Sequence, residues 1–162
     1  SILFYILKEN PISLIANGVS HLNNNLIDIG YITLLYDSNM IANFHMNWLS
    51  PVKVRQILIG GTKKMIVFND MNPDEKIKIY DKGINVNKPE EIHQLLVKYR
   101  SGDIVSPNIL PIEALQLEVD HFINQIETNK KESRNDLLHG LEVVKILEAS
   151  RASLKGQKKI DL

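Results

Sequence analysis

A chain of 162 residues can bury about 70% of the surface its unfolded form exposes, as one domain of ordinary size. An apolar share of 44% and a charged share of 23% suit a globular core under a solvated surface and exclude a disordered chain. Nineteen basic and nineteen acidic side chains cancel, which argues against a nucleic-acid partner, and the lack of cysteine excludes disulfides and thiolate metal sites.

The first element, Ser1 to Lys8, reads as the end of a helix stopped by Glu9-Asn10-Pro11, because proline disfavours helix in the residue before it. Its apolar part, Ile2 to Leu7, is far short of the roughly 20 residues that span a bilayer and lacks the flanks of a signal peptide. No membrane partner is expected, and a cytoplasmic location is. The chain opens directly inside this apolar run, so a piece of a longer protein is expected.

From Ile12 the hydrophobic period changes to that of strands. Ile12 to His21, Ile29 to Tyr36 and Met40 to Leu49 are β-rich, with Asp37-Ser38-Asn39 as the turn between the last two. A fourth strand is expected from Val52 to Ile59, a fifth from Met65 to Asn69 after Gly60-Gly61-Thr62, and a sixth from Lys76 to Asp81. Short turns between consecutive strands imply a mostly antiparallel sheet. Glu90 to Arg100 fits either period, and a strand is expected for its second half.

Two helices close the chain. The first opens at Pro111 and lines up Ile112, Leu115, Val119, Phe122, Ile123 and Ile126. The second follows Ser133-Arg134-Asn135, with Leu138, Leu141, Val144 and Leu147 expected inward and Gly156 as its stop. The pattern therefore predicts one α+β domain over 1–162, an open, mostly antiparallel sheet with helices on one face.

Chemistry-bearing motifs are few. No glycine arrangement forms a dinucleotide or P-loop fingerprint, so no cofactor is expected to bind this chain. Gly60-Gly61 before Lys63-Lys64 suits either a phosphate or a plain hairpin turn. Glu118 and His121 share a helical face, but no third ligand appears at metal spacing, and no catalytic residue is assigned.

The strand Met40 to Leu49 is more informative. Alternation puts Phe44, Met46 and Trp48 on one side, expected beneath the helices, and Asn43, His45 and Asn47 on the other. The second set is a stripe of neutral hydrogen-bonding groups, suited to sugar hydroxyls or simply to a solvated sheet face. Lys53 and Arg55 on the next strand suit a carboxylate or phosphate, or an ordinary strand edge.

The run His45-Met46-Asn47-Trp48-Leu49-Ser50-Pro51-Val52-Lys53-Val54-Arg55 and then Ile59-Gly60-Gly61-Thr62-Lys63-Lys64-Met65 resembles the C-terminal domain of the glucose–fructose oxidoreductase / inositol dehydrogenase (Gfo/Idh/MocA) family. Glu75 to Gly83 and Tyr99-Arg100-Ser101-Gly102-Asp103-Ile104 resemble its nucleotide-sugar branch, and Glu118 to Ile126 and Gly140 to Ala149 resemble its closing helices. The resemblance implies a two-domain NAD- or NADP-dependent dehydrogenase. Its N-terminal Rossmann domain would hold the cofactor, together with a catalytic lysine and an Asp…His pair, all ahead of Ser1. Residues 1–8 would be the tail of a helix continuing from that domain. This chain would wall the substrate site and mediate assembly. The partners implied are the missing Rossmann domain, a sugar or nucleotide-sugar substrate, and further copies of the chain docked through the open sheet face. Asn43, His45 and Asn47 are the candidates for hydroxyls, and Lys53, Arg55 and Arg100 for an anionic group. Asn129 and Glu132 depart from the glycine and proline usual near the second helix. A non-catalytic assembly domain is the alternative.

Overall fold

Ser1 leads into a short helix, α1 (Ile2–Ile6), which ends where Leu7 turns extended ahead of Pro11. The computed structural model describes residues 1–22, 26–81, 83–85, 98–100, 102–110, 112–129 and 137–162, with 83–85 and 98–100 by backbone. They form two compact units, 1–51 with 121–162 and 52–120.

The first unit is built on three seven-residue strands, β1 (Ser13–Val19), β2 (Ile29–Leu35) and β3 (Ile41–Asn47). The turn between β2 and β3 falls at Asp37–Asn39 as the sequence predicts. Asn39 takes φ 62°, a left-handed conformation that asparagine tolerates, and Tyr36 N donates to Met40 O at 3.1 Å. Glu9 Oε1 accepts the Ser38 amide at 3.1 Å, and its bonds to Ser38 hold the Glu9 carboxyl below the usual carboxylate range. A two-residue strand, β10 (Ile160–Asp161), returns beside β1 and completes an antiparallel sheet in the order β10-β1-β2-β3.

The core lies on one face of this sheet. Leu14 and Leu34 sit opposite each other across β1 and β2, both buried, and Tyr36 joins them. Ile32 and Ala42 pack beside them from the sheet, Leu3 and Leu7 from the N-terminal segment, and Ile146 and Ala149 from the helix α3 (Leu137–Gly156). Burial pushes the Tyr36 hydroxyl's pKa up, with the nearby Glu9 charge adding to it.

Ser153, fully buried on α3, accepts the Ala16 amide at 2.9 Å and donates to Lys158 O at 2.6 Å. Strand β10 pairs only with Ser13 and Leu14, so it leaves Ala16 without a strand partner on that side, and the serine supplies one.

The helix faces the sheet differently from the expected stripe. Its inward residues are Ile146, Ala149, Ser150 and Ser153, while Leu138, Leu141, Val144 and Leu147 are exposed. Small side chains let the helix lie close to β1, and that preference outweighs the spacing of the larger ones. Gly156 ends the helix, but Gln157 is the residue that takes the left-handed φ, 50°.

Beyond the reach of α3, the sheet is covered by its own turn. Gly18 and Gly30 pair across β1 and β2, and Ile27 lies in the notch they leave. A Cβ on Gly18 would stand 2.6 Å from Ile27 Cγ2, so glycine is required there for close approach.

The second unit holds β4 (Gln56–Gly60), β5 (Met65–Asn69), β6 (Ile77–Tyr80) and β9 (Ile104–Val105), antiparallel in that order. A ribbon pairs β7 (Gly83–Asn85) with β8 (Lys98–Arg100), so the strand expected in the second half of 90–100 is present at its end; 86–97 lie outside the described residues. Gly61 N donates to Lys64 O at 2.9 Å, the arrangement of a hairpin turn. Gly102 backs directly onto the Asp81 carbonyl, where any Cβ would collide, which accounts for glycine in the Ser101-Gly102-Asp103 run.

Helix α2 (Ala114–Thr128) ends at Asn129, whose φ of 49° is the left-handed conformation a glycine would otherwise supply. Pro111 and Glu132 lie outside the described residues.

Among the described residues every strand pair is antiparallel, and the class is the α+β one expected, but the α2 stripe of Leu115, Val119, Phe122, Ile123 and Ile126 is exposed, so of the two closing helices it is α3 that packs on a sheet face. The single sheet is instead divided, because the fourth strand begins at Gln56 rather than Val52. Asn47 Oδ1 captures the Leu49 amide at 2.9 Å and turns the chain, and Pro51 then lacks a donor for a ladder.

Candidate functional site: the open face of the first sheet

Residues opposite one another in an antiparallel pair share a face, so the register fixes what the sheet presents away from α3. Across β1, β2 and β3 the rows are Ser13–Leu35–Ile41, Ile15–Thr33–Asn43, Asn17–Tyr31–His45 and Val19–Ile29–Asn47. None of these side chains carries a formal charge, in a chain that is 23% charged. Asp161 of β10, 3.9 Å from Lys159 Nζ, stands at the margin of the face beside Ser13.

The sequence placed Asn43, His45 and Asn47 on one side and Phe44 and Met46 on the other, and the register agrees, but Phe44 and Met46 are exposed rather than beneath the helices as expected. Each polar residue is engaged by its own chain. Thr33 Oγ1 donates to Asn43 Oδ1 at 2.8 Å, which leaves the Asn43 NH2 as the group offered outward. The His45 ring lies flat on Tyr31, centroids 4.6 Å apart and planes 3° from parallel. Asn47 spends its carbonyl oxygen on the Leu49 amide. The result is an ordered surface of amide donors around a two-ring stack, able to donate to hydroxyls and to pack against a flat partner.

Tyr31 and Thr33 were missed as members of this surface. Counting outward from Ser38, the centre of the hairpin, pairs Tyr31 with His45 and Thr33 with Asn43, so the signal lay in the turn.

The cationic candidates lie in the second unit. Arg55 Nη1 is 3.4 Å from Asp70 Oδ2, Lys76 Nζ is 3.7 Å from Asp70 Oδ1, and Asp70 N donates to Arg55 O at 3.0 Å. Asp70 thus already draws on the guanidinium intended for an anion. Lys53 is exposed, and it precedes β4 rather than standing on it. Arg100 lies on β8 opposite Gly83. The six candidates therefore form two groups of three, one in each unit.

A second polar cluster, unremarked in the sequence, closes the far end of the first sheet. The Asp28 carboxylate is only 8% exposed and accepts from His21 N at 2.6 Å and Leu22 N at 3.0 Å, with His21 Nδ1 at 2.9 Å. The bond with the His21 ring, aided by the two amides, holds the Asp28 carboxyl at about 2. The Asp28 carbonyl accepts Trp48 N at 2.8 Å. Trp48 is 87% exposed, which corrects the expectation that it lies under the helices: strand alternation stops at Asn47, and the turn carries the indole outward.

Among the described residues no group of three or more His, Asp or Glu side chains could hold a metal, and no helix is long and apolar enough to cross a membrane.

No family model and no curated protein sequence matches the chain. Solved structures do. An aldose–aldose oxidoreductase from Caulobacter crescentus, complexed with glycerol, superposes with a TM-score of 0.70 at 16% identity, covering 98% of this chain and 43% of that one. UDP-N-acetylglucosamine 3-dehydrogenase from Acidithiobacillus ferrooxidans gives 0.70 at 12%, covering 94% and 43%. The WlbA dehydrogenase from Bordetella pertussis, in complex with NADH and UDP-GlcNAcA, gives 0.64 at 18%, covering 99% and 41%. The chain has the fold of the C-terminal domain of Gfo/Idh/MocA-type oxidoreductases. It spans less than half the length of each of these structures.

Proposed function

We propose that this chain is the substrate-facing and assembly domain of an NAD(P)-dependent sugar or nucleotide-sugar oxidoreductase, acting in a reducing, cytoplasmic setting. The observation that carries the reading is the match of nearly the whole chain to under half of several sugar-handling dehydrogenases. The ordered, uncharged face at Asn43, His45 and Asn47 supports it from the chemistry side.

The glycines at the Gly18–Gly30 notch, the Gly61 hairpin and the Gly102 contact serve close backbone approach and turns. On this reading NAD or NADP is assigned to a Rossmann domain outside these residues, with the proton-transfer groups beside it, in keeping with neighbours solved with NADH. This domain would act by orienting the sugar ring, which affects rate through positioning. Lys53, Arg55 and Arg100 are kept as candidates for the substrate's anionic group, with Arg55 having to leave Asp70 to serve.

Two measurements test the assignment. The full-length protein should reduce NAD(P)+ with a panel of aldoses and UDP-sugars, and Asn43→Ala should raise KM for the sugar about tenfold while leaving NAD(P)H affinity unchanged. The 162-residue chain alone should show no saturable NADH fluorescence change. Micromolar NADH binding by this chain would overturn the division of labour. A full-length protein that assembles but turns over no sugar would favour a purely structural domain, for which the uncharged face is also suited.

A further inference from the structure

The notch that admits Ile27 requires glycine at position 18, and the residue before it is Asn17. We propose that Asn17 is a site of intramolecular deamidation in the folded chain, a place on the uncharged face where a carboxylate forms with no enzyme. This chemistry is independent of the function proposed above.

The reaction needs an asparagine amide followed by a backbone nitrogen that is unhindered, unpaired and reached by water. Asn17-Gly18 is the only Asn-Gly pair in the sequence. With no Cβ at position 18, nothing on that residue shields its nitrogen from the Asn17 side chain. The fold resists a bulkier residue there, since a Cβ would stand 2.6 Å from Ile27 Cγ2. Both residues are exposed.

The sheet also leaves the Gly18 nitrogen without an acceptor. Along β1 the odd-numbered residues bond toward β2, as Val19 O does in accepting Asp28 N at 3.1 Å. The even-numbered residues turn their amides to the other edge. There β10 reaches only Ser13 and Leu14, and Ser153 Oγ serves Ala16 N at 2.9 Å. Gly18 N is next along this edge, and it meets no acceptor among the described residues.

The other asparagines of the face are held. Asn43 Oδ1 accepts from Thr33 Oγ1, and Phe44, which follows it, bonds toward β2. Asn47 Oδ1 accepts Leu49 N, while Trp48 N, the atom that would attack, donates to Asp28 O at 2.8 Å. The Asn17 side chain makes no hydrogen bond among the described residues.

In the reaction Gly18 N attacks Asn17 Cγ. The new N–Cγ bond closes a cyclic imide, the Cγ–Nδ2 bond breaks, and the side-chain nitrogen leaves as ammonia with the Gly18 proton. Water then opens the imide at either carbonyl and leaves an aspartyl or an isoaspartyl residue. No oxidant or further reactant is needed. Either product is ionised at neutral pH, so the row Asn17–Tyr31–His45 gains a negative charge. An extended strand holds Cγ away from the nitrogen, and Asn17 and Val19 stand paired with Tyr31 and Ile29. The reaction therefore proceeds when the end of β1 opens, and more slowly than in a free peptide.

Incubation of the 162-residue chain at mildly alkaline pH, followed by peptide mapping and an isoaspartate assay, is the test, with far-UV circular dichroism to show that it stays folded. The expected result is an acidic charge variant, with aspartyl and isoaspartyl product at position 17 ahead of every other described asparagine. A synthetic peptide of residues 13–22 should react faster. Asn17→Gln, whose longer side chain closes the ring far more slowly, should lose the variant. Hydrogen exchange should find the Gly18 amide less protected than those of Asn17 and Val19. An intact Asn17 after the peptide has fully reacted overturns the proposal, and so does product that accumulates first at Asn43 or Asn47. A charge variant that persists in Asn17→Gln, or a Gly18 amide as protected as its neighbours, also overturns it.

Discussion

The two faces of the first sheet use the same three strands and are held to different rules. On the helix side, Leu14 and Leu34 are buried across from each other, glycines make room for Ile27, and a serine on α3 completes the edge. On the other side Ser13 is buried and exposure begins at Ile15, and the feature the strands share is the absence of formal charge. The comparison teaches that one face is specified by size and the other by polarity. A substitution should therefore be judged by the side it falls on.

The sharpest way to break the comparison is a pair of truncations. Leu14→Ala, at 0% exposure, should cost about 2–5 kcal/mol in urea melts, through lost burial and the cavity left behind. Asn43→Ala removes one cross-strand partner of Thr33 on the other face and should cost less than about 1 kcal/mol. Equal costs would mean that the open face is packed rather than presented.

Ser153→Ala comes next. It leaves the Ala16 amide buried beside β1 with no acceptor, a loss of about 1–3 kcal/mol. Ser153→Thr keeps the hydroxyl and separates the hydrogen bond from the tight helix–sheet approach: if Thr is as damaging as Ala, the close packing is the larger requirement.

A pH titration sharpens the comparison from the sheet's far end. An ordinary aspartate titrates near 3.9, and the His21 bond holds Asp28 down at about 2. A depressed carboxyl contributes stability that is fully present above its unfolded value and lost as pH falls through the folded one. The wild-type chain should thus lose this contribution between about pH 4 and pH 2. Asp28→Asn should start less stable at neutral pH and show a flatter acid limb in that window. An unchanged acid limb would show that the clasp contributes nothing.

Much of this arrangement was legible in the sequence, and the limits have physical causes. The hairpin at Asp37–Asn39, the bounds of Met65–Asn69 and the opposite facing of Phe44 and Asn43 follow from local turn chemistry and period-two alternation. Those signals act over a few residues. The rotation of α3 was not legible, because Ala149, Ser150 and Ser153 decide it by closeness to β1, whereas a search for large apolar residues finds Leu138 and Leu141. Of the candidate site, Asn43, His45 and Asn47 could be grouped from one strand alone. Lys53 and Arg55 were placed by extending alternation into a stretch that is not a strand until Gln56, and the Arg55 contact to Asp70 joins residues no local pattern connects.

The smallest expected effect tests where alternation ends. Carried one residue past Asn47, the period-two rule puts Trp48 with Phe44 and Met46 on the helix side, where loss of the indole would cost about 3–5 kcal/mol. The Asn47 side chain interrupts the rule by holding the Leu49 amide, and the Asp28 carbonyl holds Trp48 N, so the backbone at this point is fixed while the ring projects into water. Trp48→Ala should then shift stability by no more than about 0.5 kcal/mol, as surface substitutions do. Because this is the only tryptophan in the chain, its fluorescence reports on one site: the emission should be that of a water-exposed indole and should be quenched readily by iodide. Asn47→Ala provides the contrast, since it frees the turn. If the strand then runs on, Trp48 moves toward the helix side, and its emission should shift to the blue with weaker quenching. A blue-shifted, protected indole in the wild-type chain would restore the alternation and put Trp48 on the side of Leu14.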